Sequence, residues 1–170
     1  MPTADLLPDL LFPSPRLVFI GTAAGTHSAR TGAYYAHPSN KFWPTLHAIG
    51  LTPRCFSPHE FAELQALGIG LTDVCKTESG MDHQIKSFDI GGLKARLDAV
   101  QPQALAFTSK KAASLYLAQP TQKLAYGQQS AAPNLHILPS PSGAAGAAWN
   151  IAPWRALAHW FHVAAPGARP

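Results

Sequence analysis

Four short apolar runs, each separated from the next by enough chain for a helix, constrain this fold most tightly. They are Leu17–Ile20, Ile69–Val74, Ala104–Thr108 and Leu135–Leu138. Each is strand-length and bounded by Gly, Pro or polar residues, which reads as a buried strand. The segments between them carry helix signals. Asn40 is placed to cap a helix through Phe42, Trp43, Leu46 and Ile49 that closes at Gly50. Pro44 fits only in its first turn. Ser57-Pro-His-Glu60 is a capping box opening a helix to about Leu67. Further helices are expected over Gly92–Val100, Lys110–Leu117 and Ala152–Val163.

Alternating strands and helices predict a parallel sheet covered on both faces. The expectation is an α/β fold, a three-layer α/β/α sandwich around a central, mainly parallel four-stranded sheet. Residues 1–15 read as an irregular arm, and 16–165 as a single domain without repeats or linkers.

Composition narrows the function. The chain has 170 residues, 46% hydrophobic and only 13% charged, with 13 Gly and 16 Pro. That content suits a folded core joined by loops, not a disordered chain. The net charge of +4 and pI near 9.3 are compatible with a polyanionic partner. No Lys/Arg run exceeds two residues, so charge alone does not demand one. The segment Ala4–Pro15 is too short, acidic and Pro-broken for an export signal or membrane span. A cytoplasmic, reduced protein is expected, with Cys55 and Cys75 unbridged. The eight histidines are scattered singly, a pattern that argues against a metal site.

Ligands of parallel sheets bind beyond the carboxyl ends of the strands. Three stretches fall there: Gly21-Thr-Ala-Ala-Gly25, Thr72-Asp73 and Pro139-Ser-Pro-Ser-Gly143. They are predicted to converge on one cleft. The Gly21–Gly25 turn allows close approach of something flat, yet Ala23 and Ala24 bring no polar group to its centre. The loop Tyr34-Tyr-Ala-His-Pro-Ser-Asn-Lys-Phe-Trp43 adds aromatic and polar side chains.

These stretches, in this order, resemble the mismatch-specific uracil/thymine DNA glycosylases of the uracil-DNA glycosylase superfamily. Thr31-Gly32 followed by Ala36-His-Pro-Ser-Asn-Lys-Phe-Trp43 carries the resemblance most strongly. Gly91-Gly92, Ser109-Lys110, Tyr126-Gly127 and Leu138-Pro-Ser-Pro-Ser-Gly143 echo it. The resemblance covers about Leu17 to Phe161. It implies an α/β/α sandwich without metal or cofactor, a DNA partner, base flipping and hydrolysis of the N-glycosidic bond. Two departures stand out. Ala23 occupies the place of the family's water-positioning Asn. Ala144, Ala145 and Gly146 stand where an Arg or Leu usually wedges into the duplex.

Glycosidic cleavage builds positive charge on the sugar and negative charge on the base, so a carboxylate near the sugar is required. Asp73, at a strand end, is the best candidate; its alternative is an ordinary turn cap. The resemblance implies that Tyr35 stacks on the flipped base, the other reading being core packing. Thr22, Ala23 and the Tyr35 backbone would floor the base pocket. Asn40 and His37 are candidates for base contact, against helix capping and loop bracing. Ser140, Ser142, Gly143 and Lys110 are candidates for DNA backbone contact. The function expected is a monomeric, monofunctional DNA glycosylase excising uracil or a related deaminated base. The alternatives are a damaged-DNA or abasic-site binding protein without excision, and a hydrolase of free nucleosides.

Overall fold

The computed structural model describes residues 4–163. Residues 1–3 of the expected arm and 164–165 of the expected domain lie outside the described residues. The elements are β1 (Leu17–Gly21), α1 (Thr26–Thr31), α2 (Phe42–Ala48), β2 (Ile69–Asp73), α3 (Ile90–Val100), β3 (Leu105–Phe107), α4 (Lys110–Leu117), β4 (Gly127–Gln129), β5 (Ala132–Ile137) and α5 (Ala152–Val163). A capping box opens a 3-10 helix at Pro58–Leu67, and the Ser57 amide donates to Glu60 Oε2 at 2.9 Å.

The sheet has five strands, not the four expected, in the order β2-β1-β3-β5-β4. The first four are parallel; β4 pairs antiparallel with β5. The extra strand, β4, lies in a Gln-rich stretch to which the sequence pattern assigns no element. Gln128 and Gln129 carry no apolar alternation, and the pairing rests on backbone contacts between Gly127 and Ile137 and between Gln128 and His136.

Side chains leave successive strand residues on opposite faces, and the two cores follow. Leu17 and Phe19 of β1 point to one cluster with Phe42, Leu46, Trp154, Leu157 and Phe161. Val18 and Ile20 point to the other, with Leu93, Leu97, Ala112 and Ala113. Thus α2 and α5 cover one face, and α3 and α4 the other.

The arm is irregular in conformation yet packed. Leu7 and Leu10 are buried in the first cluster. Leu10 exchanges backbone hydrogen bonds with Leu71 of β2, both at 3.0 Å.

Candidate active site

Register places the central carboxylate. Gly21 ends β1 and Asp73 ends β2, and the two are partners across the parallel ladder. A β-carbon added to Gly21 would lie 2.5 Å from Asp73 Oδ1, 3.3 Å from the Tyr35 hydroxyl and 3.6 Å from Thr108 Oγ1. Only a residue without a side chain leaves room for the carboxyl there.

The predicted convergence at the strand ends is observed. A cleft of about 520 Å³ is lined by Gly21–Gly25, Tyr35, Asp73, Thr108, Ser109, Ser140 and Ser142, with Met81 and Asp82 from the loop after β2. That loop is tied to the turn by its backbone: Val74 N donates to Gly21 O, Cys75 N to Thr22 O and Gly80 N to Ala24 O, at 2.8–3.0 Å. The turn therefore reaches the cleft with several carbonyls already engaged.

Asp73 is only 4% exposed, and among the described residues no hydrogen bond reaches its carboxyl. Burial pushes its pKa up to about 7; the nearby Lys76 charge pulls it down, Asp9 raises it and Arg96 lowers it. Such a group is poised to exchange a proton near neutrality.

Tyr35 stacks on Phe42, with centroids 3.9 Å apart and planes 19° apart, so one ring face is already taken. Its hydroxyl lies 3.1 Å from Thr108 Oγ1. Burial holds the phenol protonated. Its φ of +51° lies in the left-handed region, which is uncommon for an aromatic residue. Core packing and cleft lining thus meet in one side chain. Thr22 Oγ1 lies 3.2 Å from Ser109 Oγ, and Ala23 lines the cleft beside it.

The N-cap position of α2 falls to Lys41 and not to Asn40 as expected; Asn40 stands one residue earlier, its Oδ1 accepts from Phe42 N at 2.9 Å, and it also lines the cleft. His37 Nδ1 lies 2.7 Å from Ser39 Oγ and accepts from Ser39 N at 3.1 Å; its ring packs edge-on to His27. The Lys41 amide donates to Pro141 O at 2.8 Å and joins this loop to Pro139–Gly143. Ser140 and Ser142 line the cleft, but their hydroxyls also brace their own loop. Gly143 and Lys110 are not part of the cleft wall. A side chain on Gly143 would collide with Ser39, and Lys110 Nζ lies 4.5 Å from the Tyr126 ring centroid.

Three charged residues missed in the sequence stand behind Asp73: Asp9, Lys76 and Arg96. Each reads singly as surface charge. The one hint was Asp9, an acid set among leucines in Leu6-Leu-Pro-Asp-Leu-Leu11. Met81, 52% exposed, was missed as well; its neighbours gave no apolar pattern.

A largely apolar cleft at the carboxyl ends of a parallel sheet, with one unpaired buried carboxyl in its wall, defines an α/β protein whose candidate ligand site lies at its strand ends. The family model described as the uracil DNA glycosylase superfamily matches residues 8–160. The chain belongs to that superfamily, and membership carries a DNA-glycosylase type of function in general. Among the described residues no helix is long and apolar enough to cross a membrane.

Proposed function

We propose that this chain is a monofunctional DNA glycosylase of the mismatch-specific uracil/thymine kind, excising uracil or a related deaminated base and using Asp73 in place of the missing Asn. The observation that carries this reading is the unpaired Asp73 carboxyl beside Gly21 in the cleft wall. In the reaction, the bond from the sugar C1′ to the base nitrogen breaks and its electron pair leaves with the base. Water oxygen then bonds to C1′. Asp73, ionised, stabilises the cationic sugar and takes the proton that the water gives up. Tyr35, Thr22 and Ala23 wall the base pocket, with Asn40 and His37 at its side. Ser140 and Ser142 meet the DNA backbone from the cleft wall, while Gly143 and Lys110 meet it from outside the cleft.

The product is an abasic site in an intact strand, because the lysine nearest Asp73 is not available as a nucleophile. Lys76 is buried, 2.7 Å from Asp9 and donating to the Tyr34 hydroxyl at 3.0 Å. The acting unit in this reading is a monomer without metal or cofactor.

The deciding experiment is an excision assay on single strands and duplexes carrying uracil, mismatched thymine, hypoxanthine or xanthine, with alkali to reveal abasic sites. Alkali-dependent cleavage of at least one substrate is expected. The empty position at Ala23 favours a second reading, a protein that binds damaged DNA without excising. Binding of these oligonucleotides with no cleavage of any would establish that second reading. Turnover of free uridine or inosine without DNA would instead mark a nucleoside hydrolase.

Flipping a base from a duplex leaves a gap that apolar side chains commonly fill. Ala144 and Ala145 line the cleft but are too small to do so, whereas Met81 is large, exposed and at the same cleft. Its backbone is tied locally, the Met81 amide donating to Gln84 Oε1 at 2.8 Å. Met81→Ala is expected to slow duplex excision about tenfold and leave single-strand excision nearly unchanged. Equal losses on both substrates would show that Met81 serves the pocket and not the duplex.

A further inference from the structure

The arm delivers a carboxylate to the back of the site. Asp9 Oδ1 lies 2.7 Å from Lys76 Nζ, and Oδ2 lies 3.0 Å from Arg96 Nε. Thr72, the residue before Asp73, donates its hydroxyl to Asp9 Oδ1 at 2.8 Å. Arg96 Nη2 donates to the backbone carbonyl of Asp73 at 2.9 Å. Its Nε is close to Asp9 without a hydrogen bond, so that contact is an ion pair. Backbone bonds pin the arm on both sides: Leu6 N to Lys76 O at 2.8 Å, and Leu10 with Leu71 at 3.0 Å. The Tyr34 hydroxyl accepts from Lys76 and donates to Pro8 O, each at 3.0 Å.

Two cations and two carboxyls therefore share one partly buried space. Asp9 makes the direct contacts with both cations, while no direct contact from either to the Asp73 carboxyl is found among the described residues. We infer that Asp9 is a positioning residue for the reaction. It occupies Lys76 and Arg96 behind the sheet end, so that Asp73 faces the cleft unpaired and basic enough to accept a proton. This rests on the reading of Asp73 as the water-activating group.

The electrostatics agree with the geometry. Lys76 and Arg96 each stabilise the ionised form of Asp73, and Asp9 opposes it. The other titratable groups nearby are the Tyr34 and Tyr35 phenols, both pushed up by burial and so neutral around pH 7. Asp82 is raised by burial at the cleft mouth, where His27, His37 and His83 also line the wall. Without Asp9, both cations would act on Asp73 uncompensated. Its carboxylate would then be a weaker base, held toward the protein and away from water.

The test reads the Asp73 carboxyl directly by carbon-13 NMR titration, its signal assigned by loss in Asp73→Asn. Asp9→Asn is expected to lower the midpoint by about one pH unit, as removal of a nearby like charge should. Lys76→Met is expected to raise it. The acid limb of the excision rate should move in the same two directions. Folded Asp9→Asn with an unchanged or raised midpoint overturns the inference. If Asp9→Asn does not fold, an unchanged or lowered midpoint in Lys76→Met overturns it instead. Midpoints that move as stated in a protein that excises nothing would support the Asp9 coupling and refute the glycosylase reading, so the two failures are separable.

Discussion

Asp73→Asn is expected to cut excision by about 10²–10⁴-fold, the usual worth of a positioned acid-base group. Single-turnover cleavage of the best substrate, developed with alkali, measures it. An unchanged rate would remove Asp73 from the mechanism. The same change should also stabilise the protein at neutral and alkaline pH. An unfolded Asp titrates near 3.8, whereas Asp73 in the fold is pushed up to about 7, chiefly by burial. Below about pH 4 both states hold the proton, and the full stability is present. Between these two values the unfolded chain ionises first, so stability falls as pH rises toward 7. At about 1.36 kcal/mol per unit, the ionised fold is penalised by a few kcal/mol. Asn carries no such penalty, although Lys76 and Arg96 lose a nearby carboxylate. Urea melts should therefore show Asp73→Asn above the wild type at pH 8, with the gap closing near pH 4. A variant less stable at pH 8 would contradict the account of Asp73 as a buried acid without an ion-pair partner.

Gly21→Ala should damage the site without touching a polar group. The added β-carbon would meet Asp73 Oδ1 at 2.5 Å and the Tyr35 hydroxyl at 3.3 Å. The carboxyl must swing away, and misplacement by about 1 Å typically costs about 10²-fold in rate. Overpacking should also cost ~1–3 kcal/mol of stability. Gly91→Ala, outside the cleft wall, is the control, because a β-carbon there meets only Asp89 Oδ1 at an ordinary 3.8 Å. Excision rates and urea melts of the two variants should separate clearly. Wild-type rates from Gly21→Ala would show that the carboxyl's place beside β1 is not needed.

The parts legible in the sequence were those fixed by local chemistry. Apolar runs marked the four parallel strands, and the Ser57–Glu60 capping box marked the start of the Pro58–Leu67 helix. The position of Asp73 at the cleft was legible because the carboxyl end of a strand in a parallel sheet lies on the ligand side. Strand β4 was not, because its pairing comes from the backbone and its side chains are mostly glutamine. Helix α1 was also missed: Thr26–Thr31 is six residues long, with no apolar repeat and only Ser28 buried. The charged group behind Asp73 was hidden for a different reason. Residues 9, 76 and 96 meet only after the arm crosses β2 and α3 packs on the sheet, and no spacing along the chain encodes that meeting. Lys110 shows the converse. It sits in a recognisable motif, yet the fold sets it against Tyr126 and outside the cleft wall.

The arm's pairing with β2 has a second consequence. In the order β2-β1-β3-β5-β4, β2 stands at the margin of the sheet, where an uncovered strand would offer its amides and carbonyls to another chain. Leu10 occupies those groups at Leu71, and the buried Leu7 helps to seat the segment. The stretch that carries Asp9 toward the candidate site thus also covers part of the open edge of β2. On the proposed role of Asp9, a change that loosens this segment is expected both to shift the Asp73 titration and to raise the tendency to aggregate.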